Sequence, residues 1–333
     1  MSAAGAILVI AAAAGGGPSR LTCELLGLAQ RLKADTGAIV AAAFFADRAD
    51  AIADDLIALG ADHVYCVEHA ALEHYHSEAW VSAAAQLCGK VEPALVLIGH
   101  TSSGADLAPR LAFRLDEGSV ATGCVELSWR SGSFQFTRSC YGGNVHETLS
   151  FARGAAVATV RAGCGEAAMR DEGRRGRVDH FNPTLDDEVR RVRVVERRPE
   201  TIDGIRLEDA EVIVAGGRGL NGPEGFSRLQ ELAGVLGAAV GASRVPCDLG
   251  WCPRAWQIGL TGRTVQPHLY IAIGISGAGH HMAGCGNAKT IVAVNTDPDA
   301  AIYKDARFGI VGDYQQFVPA FVAEVRKLKA EHK

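Results

Sequence analysis

Residues 211–222 read Glu-Val-Ile-Val-Ala-Gly-Gly-Arg-Gly-Leu-Asn-Gly. An apolar, β-branched run opens into a glycine-rich turn, and residues 223–237 follow with helical spacing and a closing glycine. Strand, tight turn and helix in that order make half of a βαβ unit. Gly217-Arg218-Gly219-Leu220-Asn221-Gly222 is a literal GxGxxG. Glycines there let a backbone approach a pyrophosphate, and the start of the next helix favours its charge. The same glycines also suit a purely structural turn. A nicotinamide fingerprint needs an acidic residue about 20 positions on, to hold the ribose. That position falls at Gly237, Ala238 and Ala239, so a standard nicotinamide site is disfavoured.

Further loops follow at strand ends. Ser243 and Arg244 end a small apolar stretch; Arg244 suits stacking on an aromatic ring, or pairing with Asp248 at the surface. Gln257, Ile258, Gly259, Leu260, Thr261 and Gly262 form a second loop. Gly274 to His281 (G-I-S-G-A-G-H-H) form a second phosphate-type loop before a helix. Adjacent histidines rarely share a metal, and no carboxylate sits four residues from either His280 or His281. One histidine facing a ring carbonyl is the better reading. Asn295 and Asp313 each end a strand, where short polar side chains suit ribose or phosphate contacts, or caps and turns. Strands at 211–215, 269–273, 290–295 and 308–311, with a last helix at 317–329, predict a doubly wound parallel sheet with its ligand at the strands' carboxyl ends.

The first half repeats this texture. Apolar strands at 6–14, 38–45, 63–67 and 94–99 alternate with helices at 18–33, 49–59 and 78–89, as in a parallel sheet with right-handed crossovers. The serine and threonine residues after Gly99 suit the cap of another helix. From Cys124 the texture changes, and 125–129, 134–139, 147–151 and 156–161 read as antiparallel strands between S-G and G-G turns. Residues 165–188 read as a charged linker, and 189–195 alternate valine with arginine like an edge strand. The expected fold is α/β in two domains, 1–200 and 205–333. Each is a mostly parallel doubly wound sheet, the first with added antiparallel strands.

Composition narrows the function. The 333 residues carry a net charge of −5 and only 6% aromatics, which argues against binding a nucleic-acid backbone or stacking on single strands. Nine cysteines without C-x-x-C spacing read as reduced thiols, with Cys247 and Cys252 as small loop residues rather than a metal pair. The apolar start has no basic region and is too short for a bilayer. The chain is expected in the cytoplasm and not as an integral membrane protein. No nucleophile with its base is evident, so a cofactor would carry the chemistry.

These residues resemble the flavin domain of the alpha subunit of electron-transfer flavoproteins. The resemblance rests on G-G-R-G-L, G-A-S-R, Q-I-G-L-T-G-R, L-Y-I-A-I-G-I-S-G-A-G-H-H-M-A-G, I-V-A-V-N-T-D-P-D-A-A-I-Y and G-I-V-G-D, in the family's order. In the first half G-H-T-S-S-G-A-D-L-A-P-R-L-A and Y-G-G-N extend it. It implies FAD, a heterodimer with a beta subunit in which the first domain serves the interface, a flavin dehydrogenase donor such as an acyl-CoA dehydrogenase, and a quinone oxidoreductase or other acceptor. It places Arg218 near phosphate and ribose, and Ser243 and Arg244 at the isoalloxazine ring. Gln257, Ile258, Gly259, Leu260 and Thr261 fall at the flavin edge. Ser276, Gly277, Ala278, Gly279 and His280 fall at the pyrophosphate loop, His281 at the ring's O2 edge, and Asn295, Asp313 and Tyr314 on the adenosine side. Leu260 and His280 stand where the family usually has Gln. An NAD-dependent oxidoreductase, or a bifurcating flavoprotein oxidising NADH, is the alternative.

Overall fold

Runs of four or five consecutive buried apolar residues build both central sheets, because a parallel strand covered on both faces has no wet side. The computed structural model describes residues 5–49, 52–141, 145–186, 196 and 205–331. The chain divides into two units, Met1–Arg197 and Arg198–Lys333.

In the first unit the order is β1 (Ile7–Ala11), a small antiparallel pair β2 (Ala13–Ala14) and β3 (Gly17–Pro18), α1 (Arg20–Thr36), β4 (Val40–Ala46), α2 (Ala53–Ala58), β5 (His63–Glu68) and α3 (Ser77–Val91). Then come β6 (Leu95–Gly99), α4 (Ser102–Arg114), β7 (Ser119–Arg130), β8 (Ser133–Cys140), β9 (Val145–Leu149), β10 (Ala156–Val160) and β11 (Arg177–Phe181). Nine strands form one sheet in the order β11-β5-β4-β1-β6-β10-β7-β8-β9. Leu25, Leu26 and Leu28 of α1 fill one face, and Val81, Leu87 and Leu107 of α3 and α4 fill the other. Ser19 caps α1 by accepting from the Thr22 N–H, and Thr101 caps α4 by accepting from the Gly104 N–H.

Two expectations for this unit are corrected. The strand expected at 156–161 as antiparallel is β10, which lies parallel to both β6 and β7. All five of its residues are buried, which marks a central parallel strand rather than a half-wet hairpin strand. The linker expected over 165–188 contains β11, paired parallel to β5. Its side chains are mostly exposed, so it lacks an apolar signal. Polar pairs pin it instead: His63 Nε2 to Asp179 Oδ2 at 3.1 Å and His180 Nδ1 to Glu68 Oε2 at 3.2 Å. The edge strand expected at 189–195, and the Gly-Gly-Asn of Y-G-G-N, lie outside the described residues.

β7 changes partner along its length. Its start runs parallel to β10 and its end antiparallel to β8, with an extra residue at the switch. Gly123 adopts φ 68° there, and its N–H donates to the Thr159 hydroxyl at 2.8 Å. Thr159 is fully buried and also shares a 2.8 Å hydrogen bond with His100 Nδ1. One hydroxyl thus ties β10 to the β7 bulge and to the loop before α4.

The second unit is shorter: β12 (Val212–Gly216), α5 (Glu224–Leu236), β13 (Ala239–Ala242), α6 (Arg244–Asp248), β14 (Leu269–Ile273), α7 (Gly279–Cys285), β15 (Thr290–Asn295), β16 (Phe308–Val311) and α8 (Tyr314–Glu331). Its five strands are all parallel, in the order β13-β12-β14-β15-β16. Residues of α5 and α8, such as Leu229 and Val318, pack on one face of the sheet. Cys285 of α7 and Ile302 pack on the other. With right-handed crossovers, the chain leaves β12 toward one edge and continues from β14 toward the other. The loops after β12 and β14 therefore part, which is the place where such sheets bind ligands. Among the described residues, no helix is long and apolar enough to cross a membrane.

Replacing Thr159 by Val should lower the unfolding free energy by about 1–3 kcal/mol, because the Gly123 N–H loses its buried acceptor. Thr159→Ser should recover most of the loss. Urea denaturation of the purified variants measures both.

Candidate functional site

Two glycine loops make the floor of the site. The Gly217 N–H donates to the Ile273 carbonyl at 2.9 Å, and the Gly219 N–H to the Gly274 carbonyl at 3.0 Å. A Cβ on Gly217 would stand 2.1 Å from the Gly274 carbonyl oxygen. The GxGxxG glycines therefore serve first to seat one loop against the other. That is the structural alternative left open by the sequence, and it uses two of the backbone donors a phosphate would need. The turn continues as a single 3-10 turn, Arg218–Leu220, before α5 begins at Glu224.

Above this floor lies a cavity of about 770 Å³, lined from the ends of β12 to β15. Arg218 and Arg244 both face it. Arg218 makes no ion pair among the described residues. Arg244 Nε lies 3.0 Å from Asp248 Oδ2 and its side chain is 67% exposed, so it is at once a surface ion pair and a cavity wall. Ser243 sits at the start of α6, with its N–H donated to the Gly216 carbonyl at 2.9 Å.

The loop after Trp256 folds back on itself. The Arg263 N–H donates to the Gln257 carbonyl at 2.7 Å, and the buried Gln257 amide donates to the Thr261 hydroxyl at 3.0 Å. Gln257 holds Thr261 in place while Thr261 itself remains exposed. The Leu260 N–H donates to the His280 carbonyl at 2.7 Å, joining this loop to the start of α7. The Leu260 side chain is exposed at the cavity.

The two histidines differ. His280 is exposed, whereas His281 is buried. His281 Nδ1 lies 3.1 Å from the Ile258 carbonyl oxygen, which can only accept, so Nδ1 carries the hydrogen. Nε2 then accepts from the Tyr270 hydroxyl at 2.9 Å. Burial pushes the His281 pKa down to about 4, against a smaller opposing effect of the Ile258 hydrogen bond. Both ring nitrogens are thus engaged within the protein. Its ring braces the 257–263 loop to β14 while still lining the cavity, and His280 is the more exposed of the pair.

Comparison with known proteins gives the site a family. A family model described as the electron transfer flavoprotein domain matches residues 7–186. Another, described as the electron transfer flavoprotein FAD-binding domain, matches residues 206–286. The chain is 41% identical to the electron transfer flavoprotein subunit alpha of Thermoanaerobacterium thermosaccharolyticum over 308 residues, 92% of this chain and 93% of that protein. It is 42% identical to the Bacillus subtilis subunit alpha over 282 residues, 85% of this chain and 86% of the relative. Protein FixB of Clostridium saccharobutylicum is 35% identical over 312 residues, 93% and 92% of the two chains. The chain belongs to the electron transfer flavoprotein alpha-subunit family.

In this alpha-subunit chain the cavity gathers most of the expected residues: Arg218, Ser243 and Arg244; Gln257 to Thr261; and Ser276, Ala278, His280, His281 and Asn295. Four do not line it. Gly277 (φ +83°) turns the loop under Ile302, where a Cβ would stand 2.3 Å from the Ile302 nitrogen. Gly279 opens α7 without reaching the cavity. Asp313 accepts from the Gln315 N–H at 2.8 Å at the start of α8. Tyr314 is core, and its hydroxyl donates to the Leu220 carbonyl at 3.0 Å. Asn295 lines the cavity but spends its amide on the fold: Nδ2 donates to the Ile275 carbonyl at 3.0 Å, and Oδ1 accepts from the Asp297 N–H at 3.0 Å.

Asn221 and Ile275 of the two glycine loops, together with Val245, Asp297 and Ala300, also line the cavity. Asp297 matters most. It brings a carboxylate to the cavity from beyond β15, a position no spacing rule along one βα unit reaches, where the sequence has none at Gly237 to Ala239. The N-T-D-P run after β15, an Asx turn in the structure, was its only sequence signal.

The neutral His281 sets a pH window. Its folded pKa of about 4 lies below the ordinary value of 6.5, so the unfolded chain binds the proton more readily. Stability should be full above pH ~6.5 and fall by up to about 3 kcal/mol as pH drops toward 4. Urea unfolding of wild type and His281→Phe across that window should show a smaller pH slope in the variant.

Proposed function

We propose that the cavity of the second unit holds FAD, and that the chain acts in a heterodimer with a beta subunit. Electrons would enter from a flavin dehydrogenase and leave to a quinone oxidoreductase or another acceptor. The observation that carries this reading is the placing of two arginines and a carboxylate around one cavity at the β12/β14 divergence, within a segment matched by a domain described as FAD-binding. The residues present fit the group. About 770 Å³ suits an elongated cofactor. Arg218 offers a cation, without an ion pair among the described residues, for a pyrophosphate, Asp297 an acceptor for ribose hydroxyls, and Arg244 a planar cation for a ring.

Bound FAD would supply reversible electron chemistry, and the chain would tune and shelter it. Arg244 favours negative charge on the ring and is held in place by Asp248. Thr261, positioned by Gln257, and the exposed imidazole of His280 offer polar contacts at the same cavity. Leu260 and Val245 present exposed apolar surface there, which excludes water from whatever ring they cover. We assign the first unit to the subunit interface and the complex to the cytoplasm.

Co-expression with the beta partner should yield a yellow complex with a flavin absorbance spectrum and one FAD per heterodimer. A colourless, nucleotide-free complex that binds NAD tightly instead would overturn the reading, and Asp297 makes that control necessary. Arg244→Ala should lower the flavin midpoint potential, with Arg244→Lys intermediate, by spectroelectrochemical titration. Arg218→Ala should weaken FAD binding about tenfold or more, through loss of a charge-assisted contact, with little change in potential.

A further inference from the structure

One feature beside the cavity is not used by cofactor binding. The segment Cys247-Asp-Leu-Gly-Trp-Cys252 turns back on itself after α6, and its two sulfurs lie 3.5 Å apart. The turn is built by the Leu249 N–H donating to the Val245 carbonyl, the Gly250 N–H to Cys247 and the Trp251 N–H to Pro246. Gly250 makes the reversal at φ +72° with open space around it. A disulfide bond is about 2.0 Å long, so closure needs the two sulfurs to approach by about 1.5 Å.

We propose that Cys247 and Cys252 are a reversible dithiol–disulfide pair, closed by a peroxide and reopened by a thiol reductant. The two sulfurs have complementary settings. Cys247 is partly exposed, and the hydrogen bond from Cys252 holds its pKa below the usual thiol value. Cys252 is buried, and the same hydrogen bond, with burial, keeps its proton on. By contrast, burial pushes the Cys88, Cys124 and Cys285 thiols up to about 12. Cys247 is therefore the attacking sulfur and Cys252 the resolving one.

The chemistry balances with hydrogen peroxide as oxidant. The Cys247 thiolate attacks one peroxide oxygen, the O–O bond breaks, and the departing hydroxide takes a proton to leave as water. Cys247 is then a sulfenic acid. The Cys252 sulfur attacks the Cys247 sulfur, the S–O bond breaks, the S–S bond forms, and a second water leaves. The two sulfurs lose two electrons and peroxide gains them. A dithiol reverses the step by exchange.

The bond would form inside the element that shapes the cavity. Arg244 and Val245 of α6 line the cavity, and Asp248, the partner of Arg244, adjoins Cys247. Drawing Cys247 toward Cys252 pulls on the Asp248 end of α6 and so on the setting of Arg244. The thiol chemistry stands without the FAD reading; only this consequence rests on it.

Trypsin cuts after Arg244 and Arg254, which releases both cysteines in one peptide, residues 245–254. The purified heterodimer is treated with hydrogen peroxide, blocked with iodoacetamide and digested. The expected peptide is two hydrogens lighter and carries no alkyl group; dithiothreitol before blocking restores the doubly alkylated form. Cys252→Ser should instead trap Cys247 as a sulfenic acid that dimedone labels. A doubly alkylated 245–254 peptide after other thiols have reacted, or Cys247 driven to a sulfinic acid with no disulfide, would overturn the proposal. Flavin content of the same sample is read separately. A colourless protein that still forms the disulfide refutes the FAD reading alone, and a yellow one that does not refutes the dithiol alone.

Discussion

The second unit depends on a backbone contact with no room for a side chain. Gly217 and Gly219 of the loop after β12 lie directly against Gly274 of the loop after β14. Two neighbouring strands lead into these loops, and the crossovers that follow them run to opposite edges of the sheet. Glycine lets the loops touch at their base, while the helices they feed spread apart above. The cavity is the space left by that divergence.

The remaining site is a set of braces around this floor. Gln257 holds Thr261, Asn295 holds Ile275, and Tyr314 of α8 holds the Leu220 carbonyl. Tyr270 and the Ile258 carbonyl hold His281 from both sides. Several polar residues that look like ligand contacts in the sequence thus satisfy buried backbone groups. Such groups would otherwise cost about 1–3 kcal/mol each. The groups left facing the cavity are longer or more exposed: Arg218, Arg244, His280 and Asp297.

Legibility followed burial. β14, β15 and β16 coincide with their sequence-based ranges, because each is a β-branched or apolar run bounded by turn residues. β10 was found but given the wrong direction, since a short run of small and β-branched residues says how deep a strand lies and not which way its neighbours point. β11 was missed, because its side chains are mostly exposed and its pairing with β5 is reinforced by His63 and Glu68 on that distant strand. Thr159 could not be read as a keystone, because its partners His100 and Gly123 are 59 and 36 residues away.

The sequence by itself determined the two α/β halves, the glycine loops at strand ends, and the resemblance that the family comparison bore out. These are local or ordered patterns: periodicity, turn chemistry and a string of motifs along the chain. Tertiary structure decided the rest. It turned His281 inward and left His280 out, made Tyr314 core, brought Asp297 to the cavity from a distant strand, and set the sulfurs of Cys247 and Cys252 side by side. Adjacent residues on a helix point in different directions, and residues far apart meet at the end of a sheet. Those outcomes depend on how the loops pack against one another, which no local pattern encodes.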